Sequence, residues 1–565
     1  MSDNTRLNVV LYWHMHQPQY KDARTGNYHL PWTYLHVIKD YVDMVAHLEN
    51  NPQARCVINF TPTLLEQIDD YAQRIDDYFK RGRIINDTML DSLVEAVLPA
   101  SPELRIELIK HCLRANEERL INRYVSYKRL VEQARFIETH PDAIIYLHDQ
   151  YLADLVVWFH LAWLGETVRR SDLRVRKLLE KGHGFNLNDR RDLLSVIGEL
   201  CAGVIARYRH LAQNGQIELS FTPYAHPIMP LLLDINTTHE AMPDAPLPVC
   251  HNYPDGEARV RWHIEKGLAV FERFFGFRPA GCWPSEGSVS EQTVHLLSEY
   301  GISWLASGET VLRNSLNHAG NDDDQCLHRA YQFADTSARC FFRDDGLSDL
   351  IGFTYATWHG DDAVANLIHH LENIASACQG DDNTVVSIIL DGENAWEYYP
   401  ENGFHFLAGL YEQLAQHSQI NLTTYSDVIS HNITPSKIER IVAGSWVYGT
   451  FSTWIGSEDK NTGWDMLCDA KHVVDEVLQS GRLSDEMREQ VETQLAICEG
   501  SDWFWWFGDY NPAESVSDFE YLFRLQLSHL YILLGRQPPA YLSESFTHGC
   551  GQPSMGGTMR RGKEG

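Results

Sequence analysis

The sequence is poor in basic residues. Lysine and arginine total 47 of 565 residues, against 77 aspartate and glutamate residues, which leaves a formal net charge of −30. Such a polyanion repels nucleic acids and acidic membrane surfaces, so we expect neither as a partner. A neutral substrate meets no such electrostatic barrier.

Long apolar runs and paired cysteines are also missing. No uncharged apolar stretch of ~18 residues is present, so we expect no membrane span. The N-terminal segment lacks a basic region followed by a long apolar one, and we interpret it as a first strand, not a signal peptide. The eleven cysteines are odd in number and include no CxxC pair. This indicates reduced thiols in the cytoplasm and argues against a disulfide framework or a zinc knot.

Short apolar runs separated by helix-like stretches recur along the chain. The runs cover residues 7–13, 55–60, 216–221, 280–283, 302–308, 349–355, 385–390 and 420–425. Continuous apolar runs that alternate with helices indicate parallel strands covered on both faces. Seven or eight such units predict a β/α barrel.

Two parts of the chain depart from this alternation. Residues 63–210 carry long helix-periodic segments, which predict a helical insertion within a barrel domain that spans 1–435. Residues 436–540 are again helix-like and predict a C-terminal α-helical domain. The tail, 541–565, is polar and rich in glycine, which is typical of a disordered segment.

Acidic and aromatic side chains are interleaved directly after the apolar run 385–390. Asp391 follows the run, at the strand end where reactive groups of a β/α barrel lie. The residues after it add two more acids and three rings: Glu393, Glu397, Trp396, Tyr398 and Tyr399. Crowding by these acids and rings is expected to raise the pKa of Asp391. An ordinary acidic D-G turn is the alternative.

A second loop carboxylate follows the run 280–283 in "GCWPSEGSVS". Ser288 and Glu291 fit a helix capping box, so Glu291 has a structural explanation. Glu286 lies before the helix, next to Trp283, and capping does not explain it; a solvated loop acid is the alternative. Two loop carboxylates on different strands, flanked by rings, are the groups that glycoside hydrolysis requires. Aromatic faces suit the apolar faces of sugars.

Five segments together resemble glycoside hydrolase family 57, and its α-amylase and amylopullulanase-like branch in particular. They are "HMHQP" (14–18), "GQIELSFTPYAHPIMPLL" (215–232), "GCWPSEGSVS" (281–290), "LDGENAWEYYP" (390–400) and "GTFSTWIGSEDKNTGWDM" (449–466). The resemblance implies an incomplete, seven-stranded parallel β/α barrel with a helical insertion. It also implies a C-terminal helical domain that contributes residues to the cleft.

The resemblance assigns the nucleophile to Glu286 and the general acid/base to Asp391. It implies a retaining glycoside hydrolase of α-amylase type, which acts on α-1,4-glucans through a covalent glycosyl-enzyme intermediate and needs no cofactor. A 4-α-glucanotransferase with the same catalytic pair is the nearest alternative. A non-catalytic glycan-binding homologue is a further one.

Substrate contacts are predicted for a larger set of residues. They are His14, His16, Trp32, Glu218, His226, Trp283, Trp358, His359, Glu393, Trp396, Trp454 and Gly456. The alternative for the tryptophans is core packing. For Glu218 it is an ion pair with a buried arginine, and for His14 a structural hydrogen bond beneath the barrel mouth.

A zinc site is a separate possibility. His14 and His16 are two residues apart at a strand end, so they share a face if the strand continues, and such a pair can ligate zinc. A third ligand would have to come from Asp40, His226 or His359, none of which has diagnostic spacing. We therefore predict no metal, and keep a metal-dependent enzyme as a rival that a chelator would inactivate.

Overall fold

The strands form one curled sheet. The computed structural model describes residues 6–95, 98–318, 327–378, 381–431, 433–508, 510–547 and 549. The strands are β1 Leu7–Met15, β2 Cys56–Phe60, β3 Ile217–Phe221, β4 Gly281–Cys282, β5 Trp304–Ser307, β6 Tyr331–Phe333, β7 Arg339–Phe342, β8 Val385–Asp391, β9 Ile420–Leu422 and β10 Ser436–Ile438.

The sheet is predominantly parallel, in the order β10-β6-β7-β5-β4-β3-β2-β1-β8, and β9 pairs with the first residues of β1. The seven strands from β7 to β8 in this order run parallel to their neighbours. Beyond β7, the Asp344 backbone N–H donates to the Ser387 carbonyl of β8 at 2.8 Å. The sheet therefore curls until its outer parallel strands touch, which confirms the predicted incomplete seven-stranded barrel.

The strand sequences explain why polar groups collect at one edge of the sheet. In β1 and β8 the apolar residues are buried almost throughout, as expected for strands covered on both faces. The register pairs His14 of β1 with Asp391 at the end of β8 and with Asn59 of β2. Carboxyl ends of parallel strands meet at one edge, so these side chains are brought together there.

Helices cover the sheet and occupy two long segments. They are α1 Trp32–His36, α2 Val42–Asn50, α3 Pro62–Arg81, α4 Thr88–Val94, α5 Pro102–Cys112, α6 Val125–Thr139, α7 Asp149–Trp163, α8 Glu166–Ser171, α9 Leu173–Lys181, α10 Leu187–Gln213, α11 Met229–Leu233, α12 Thr238–Ala241, α13 Gly256–Phe275, α14 Glu291–Glu299, α15 Glu309–His318, α16 Asp345–Asp349, α17 Gly360–Ala377, α18 Phe404–Gln416, α19 Tyr425–Ser430, α20 Glu458–Gln479, α21 Asp485–Cys498, α22 Ser501–Trp506 and α23 Ala513–Leu533. Within the described part of the chain, none is both long and apolar enough to cross a membrane.

The domain boundaries proposed from the sequence can be compared with these elements. Helices α3 to α10 lie between β2 and β3, in the segment assigned to the helical insertion. The proposed boundary after residue 435 separates β10 from β6, although the two strands are paired. The start of the C-terminal helical domain therefore belongs later, beyond β10.

The predicted disordered tail also begins too early. The Phe546 ring lies 5.2 Å from the Phe507 ring, and Arg524 donates to the Leu542 carbonyl at 3.0 Å. Residues 541–547 are therefore packed against the C-terminal helices. The rest of that tail, apart from residue 549, lies outside the described residues.

One predicted strand is wrong. Residues 349–355 form helical turns, and the strand of this region is β7, about ten residues earlier. The Asp344 side chain accepts the Leu347 backbone N–H, which is a standard helix N-cap and starts the helical turns directly after β7. An apolar run of this length does not distinguish a strand from a buried helical segment.

A buried charged network joins the C-terminal helices to α13. The Glu499 carboxylate, just after α21, receives the Arg259 guanidinium at 2.8 Å, His263 Nε2 at 2.7 Å and the Tyr253 hydroxyl at 2.5 Å. Arg259 and His263 are four residues apart on α13, so both face the same side. The chain continues from Glu499 directly into α22, so this network determines where α22 lies.

Candidate active site

A cavity of about 410 Å³ opens at the carboxyl edge of the sheet. Its walls come from the segments after β1, β4 and β8, from the helical insertion and from the C-terminal helices. Six of the residues predicted from sequence line it: His14, His16, Trp32, Glu286, Asp391 and Glu393. Both loop carboxylates singled out from the sequence therefore face one space.

Glu286 is held in an unusual conformation. Its φ of 57° lies in the left-handed region, which residues with a side chain seldom adopt outside functional sites. Trp446 contacts it twice: the Trp446 backbone N–H donates to the Glu286 carbonyl at 3.1 Å, and the indole N–H donates to the carboxylate at 3.0 Å. On the other side, His226 Nδ1 lies 3.8 Å from the carboxylate. The helix after this loop begins at Glu291 with Ser290 as its N-cap, so the predicted cap at Ser288 is wrong by two residues.

Asp391 is a carboxyl group in a desolvated position. Burial raises its pKa to about 6, against the lowering effects of a hydrogen bond from Asn394 and the charges of His16 and Arg343. The Asn394 amide donates to the Asp391 carboxylate at 2.8 Å. The raised pKa agrees with the prediction from sequence, and of the two causes expected there, neighbouring acids and desolvation, desolvation is the one that raises it.

Crowding by neighbouring acids does not raise the pKa of Asp391. Glu393 is itself buried, and burial followed by the charge of Asp391 raises its pKa well above the ordinary value. Its Oε1 atom accepts the His16 backbone N–H and the Gln17 amide, both at 3.2 Å. The raised pKa favours the protonated form of Glu393, which carries no negative charge beside Asp391.

Three histidine rings stack beside the cavity, and two of them, His14 and His16, line it. The ring centroids lie 5.6 Å apart for His14 and His16, 5.2 Å for His14 and His226, and 3.9 Å for His16 and His226. His14 hydrogen-bonds to the Asn59 amide oxygen at 2.7 Å, and burial followed by the neighbouring His16 lowers its pKa to about 3. Burial likewise lowers the pKa of His226, which hydrogen-bonds to the Ser501 hydroxyl at 2.8 Å.

The C-terminal helices complete this histidine group. Asp502, on α22, hydrogen-bonds to His16 Nε2 at 2.7 Å, and Thr61 holds the other ring nitrogen at 3.1 Å. The Ser501 backbone N–H donates to the His226 carbonyl at 2.9 Å. Two consecutive residues of α22 therefore hold His16, which lines the cavity, and His226, which lies behind it.

A group of possible metal ligands lies here, but it differs from the predicted set. One ligand atom each from His16, His226 and Asp502 lie within 4.8 Å of one another. Asp40 is instead bonded to Lys39 and His36, and His359 is exposed.

The donor geometry of this group suits hydrogen bonding better than coordination. The lone pairs of an imidazole lie in the plane of its ring, whereas the His16 and His226 rings are stacked with only 20° between their planes. Lone pairs of stacked rings point side by side and do not converge on one ion. His16 Nε2 is also already hydrogen-bonded to Asp502. The absence of a metal requirement stays a prediction.

Three predicted sugar platforms are core residues. Trp283, Trp396 and Trp454 are at most 1% exposed. Trp283 packs against His14 and Trp446 beneath the cavity, Trp396 packs against Trp13, and Trp454 packs against Trp505. These rings therefore follow the alternative considered from sequence, which was packing in the core. Full burial of a large apolar ring stabilises the folded state.

Four more predicted contacts lie outside the described cavity lining: Glu218, Trp358, His359 and Gly456. The Glu218 carboxylate accepts the Trp304 indole N–H at 2.7 Å and the Ser426 backbone N–H at 3.0 Å. It is therefore satisfied within the barrel, by neutral donors and not by the arginine considered from sequence. Trp358 and His359 are exposed at the start of α17, and Gly456 approaches Ala245. His226 reaches the site only through its contacts with Glu286 and His16.

Several cavity residues were missed or undervalued from sequence. They are Tyr398, Trp446, Asp502, Trp505 and Trp506. The segment "SDWFWW" (501–506) places an acid among rings, which is the same signal that drew attention to Asp391. Trp505 and Trp506 line the cavity, whereas their neighbours Trp503 and Phe504 are buried in the helical core. Trp446 carries no local signal, since its contact with Glu286 spans 160 residues.

Comparisons with known proteins agree with this geometry. The family model described as glycosyl hydrolase family 57 matches residues 10–443. A branching enzyme from Thermococcus kodakaraensis has a similar structure, with 14% identity, a TM-score of 0.58, and coverage of 96% of this chain and 92% of that chain. An α-amylase from Thermotoga maritima is also similar, with 13% identity, a TM-score of 0.54, and coverage of 94% of this chain and 97% of that chain. A 4-α-glucanotransferase from Thermococcus litoralis has 14% identity and a TM-score of 0.52, with coverage of 93% of this chain and 60% of that chain. At these identities the structures establish the fold alone. No curated protein sequence matches the chain.

Proposed function

This chain belongs to glycosyl hydrolase family 57, and from that premise we propose that it is a retaining enzyme acting on α-1,4-linked glucans, with Glu286 as nucleophile and Asp391 as general acid/base. One observation carries the proposal: the two carboxyl groups come from the ends of different strands and line the same cavity. The Glu286 carboxylate is held by a hydrogen bond from Trp446, and the Asp391 carboxyl group is desolvated. These are the two states that a nucleophile and an acid require.

In the first step, a Glu286 carboxylate oxygen attacks the anomeric carbon while Asp391 gives its proton to the glycosidic oxygen, and the carbon–oxygen bond of the leaving sugar breaks. The indole N–H of Trp446 orients the Glu286 carboxylate through one oxygen. His226 stands beside the other oxygen. Asp391 starts this step protonated below pH about 6 and becomes the ionised form when the leaving group departs.

In the second step, ionised Asp391 removes a proton from water or from a sugar hydroxyl, whose oxygen then attacks the anomeric carbon and releases Glu286. The aromatic walls supply the sugar surfaces: Trp32, Tyr398, Trp505 and Trp506 line the cavity. The His16–Asp502 pair offers polar contacts to hydroxyl groups in the same space. An acceptor sugar bound on these rings would make the enzyme a glucanotransferase, which is the alternative outcome.

Product analysis on maltoheptaose tests the proposal, with and without a strong chelator. An α-amylase-type hydrolase releases new reducing ends, whereas a 4-α-glucanotransferase makes shorter and longer chains at constant reducing-end number. Formation of α-1,6 linkages would instead indicate branching activity. Binding without any product would establish a non-catalytic glycan-binding protein. Loss of activity with the chelator and recovery with zinc would favour the metal-dependent rival.

The pH dependence of the reaction is expected to report on Asp391. A general acid works in its protonated form, so kcat/KM should fall as the pH rises through about 6, the pKa that burial gives Asp391. Asn394 donates to the ionised form and so lowers this pKa. Asn394→Ala should therefore move the basic limb of the profile upward, by roughly 1.1 to 2.2 pH units for one hydrogen bond to a charged group of about 1.5–3 kcal/mol.

Glu393→Gln is the matched control for that profile. Because its raised pKa favours the neutral form of Glu393, replacement by an uncharged amide should leave the basic limb in place. A downward shift in Glu393→Gln would mean that negative charge at Glu393 raises the pKa of Asp391, as the sequence suggested. An unchanged limb in Asn394→Ala would argue against Asp391 as the titrating acid.

Trp446 is expected to matter for turnover, because its indole N–H holds the Glu286 carboxylate. Trp446→Phe keeps a ring but removes this donor, so kcat should fall roughly 10- to 150-fold, as a hydrogen bond to a charged group contributes about 1.5–3 kcal/mol. Trp454→Phe is the control, since its buried indole nitrogen has no hydrogen-bond partner. Steady-state kinetics with maltoheptaose and thermal midpoints of both variants make the comparison. Equal kcat values in the two variants would contradict the role given to Trp446.

A further inference from the structure

Two thiols from distant parts of the chain meet at the junction of the barrel and the C-terminal helices. Cys250 lies in the loop between α12 and α13, and Cys468 lies on α20. Their sulfur atoms are 2.8 Å apart, although 218 residues separate them in sequence. Cys468 is buried and Cys250 is partly exposed, so Cys250 is the more accessible residue of the pair.

The loop is fixed against α20 by contacts beyond the thiols. Asn461 donates to the Pro246 carbonyl at 3.1 Å. Asp465 accepts the backbone N–H of Val249 at 3.2 Å and of Cys250 at 2.9 Å. Residues 461, 465 and 468 follow the spacing of one helix face, so this face of α20 holds the loop along its length. The approach of the two sulfur atoms is therefore imposed by the surrounding hydrogen bonds.

The other described cysteines do not combine partial exposure with a second thiol in contact. Cys56, Cys112, Cys201, Cys282, Cys340 and Cys498 are buried in the core, and Cys378 is partly exposed at the end of α17. A thiol–disulfide exchange needs an accessible sulfur to start it and a second thiol within reach to finish it. Among the described residues, Cys250 and Cys468 meet both requirements together.

We propose that Cys250 and Cys468 form a site of reversible oxidation, at which a low-molecular-weight disulfide such as oxidised glutathione converts the two thiols into an intramolecular disulfide. The Cys250 sulfur, as thiolate, attacks one sulfur of the reagent, which breaks the reagent's S–S bond and releases one glutathione thiolate. Cys468 then loses its proton, attacks the Cys250 sulfur of the mixed disulfide, and releases the second glutathione thiolate. The protein loses two electrons and two protons, and the reagent becomes two thiols.

The order of the two attacks follows from the environment of each sulfur. The hydrogen bond between the thiols, followed by burial, raises the pKa of Cys468, so this thiol stays protonated at neutral pH. The thiolate is the attacking form of a cysteine, so the more accessible Cys250 should react first. In the absence of Cys468 the reaction should stop at the mixed disulfide on Cys250.

The new bond would tie the barrel to the helices that complete the cavity. α20 carries Trp464, whose ring stacks 4.8 Å from Phe504 of α22, and α22 carries Asp502. A cross-link between residues that are far apart in sequence restricts the unfolded chain and so favours the folded state. The loop and α20 are already in contact, so the bond should raise the thermal midpoint and leave activity at moderate temperature unchanged.

The experiment equilibrates the full-length protein in buffers with increasing ratios of oxidised to reduced glutathione. Free thiols are then blocked, and peptides are identified by mass spectrometry. The wild type should give a linked peptide pair containing Cys250 and Cys468, which disappears on return to reduced glutathione. Cys468→Ser should accumulate glutathione on Cys250, and Cys250→Ser should show neither product. Cys378→Ser, a change at another partly exposed cysteine, should still form the link.

Three results would overturn the proposal. One is the absence of the linked pair in buffers that fully oxidise an accessible model dithiol. Another is a linked pair that joins either cysteine to a different one in the sequence. The third is a link that forms but lowers the thermal midpoint or removes activity at moderate temperature, because it would then require a different arrangement of loop and helix. Activity and thermal midpoints of the two serine variants under reducing conditions show whether substitution alone disturbs the fold.

Discussion

Replacing Glu286 by alanine is expected to lower the rate of glucan cleavage by several orders of magnitude, because no covalent intermediate can form without the nucleophile. The side chain leaves a space opposite the leaving group, bordered by Trp446 and His226. With an activated α-glucosyl fluoride, azide should enter this space, restore turnover and give a β-glycosyl azide of inverted configuration. Product configuration by nuclear magnetic resonance is the measurement.

Asp391→Ala is expected to behave differently. Its first step should be slow with maltooligosaccharides, whose leaving groups need a proton, and a loss of about 10²- to 10⁴-fold is typical of a missing general acid. With the fluoride donor, which needs little protonation, the intermediate should still form on Glu286. Azide should then attack from the acid/base side and give a retained α-glycosyl azide.

Configurations swapped between these two variants would reverse the roles of Glu286 and Asp391. The control is Glu291→Gln, five residues after Glu286 and at the start of α14, outside the described cavity lining. It should retain the wild-type rate. If neither catalytic variant loses more than about tenfold, which is less than a general acid normally contributes, the proposed function is wrong.

Replacing Glu499 by glutamine is expected to cost a large part of the folding free energy. Glu499 is the shared acceptor of Arg259 and His263, and removing one partner of a buried ion pair costs about 3–5 kcal/mol, because the other charge stays buried. Chemical unfolding at pH 7 should show this loss. Glu489→Gln removes the exposed pair that Lys266 makes between the same two helices, and should change stability by less than about 1 kcal/mol.

The effect of Glu499→Gln should depend on pH in a defined direction. Burial alone would raise the pKa of Glu499, but the charge of Arg259 and the bonds with His263 lower it to about 2, below its ordinary value of 4.5. A lowered pKa stabilises the fold above the unfolded-state value, and this contribution is lost as the pH falls through the folded-state value. The difference between wild type and Glu499→Gln should therefore shrink from pH 5 towards pH about 2. A constant difference would argue against an ionised Glu499.

This buried pair is also expected to affect the cavity, since α22 follows Glu499 directly. If the network positions α22, the fraction of Glu499→Gln that remains folded should bind substrate less well, because Ser501 and Asp502 hold His226 and His16. A raised KM measured where the variant is fully folded would support this, and an unchanged KM would limit Glu499 to stability.

Much of the fold was predictable because it depends on local pattern. Runs such as 7–13 and 385–390 are mostly apolar, with one polar residue each, and this composition is typical of strands that are buried on both faces. Asp391 and Glu286 were identifiable because each follows such a run and has aromatic residues beside it in the sequence. The segment 349–355 misled because its apolar residues belong to buried or half-buried helical turns that a capping aspartate starts.

Contacts across long sequence distances were not predictable. Trp446 reaches Glu286 across 160 residues, and Asp502 reaches His16 across 486. Tryptophan type alone did not separate sugar platforms from core, so Trp454 was overvalued and Trp505 undervalued. Both rings pack on each other, and only one of them reaches the cavity.

By itself, the sequence determined the barrel, its covering helices, and two carboxyl groups at strand ends, because hydrophobic periodicity and the residues that interrupt it are local properties. The tertiary structure alone showed which contacts set the state of those carboxyl groups. The raised pKa of Asp391 comes from burial, and the fixed orientation of Glu286 comes from an indole N–H far along the chain. Desolvation and hydrogen-bond geometry depend on what surrounds a group in space, and neighbours in sequence supply only a small part of those surroundings.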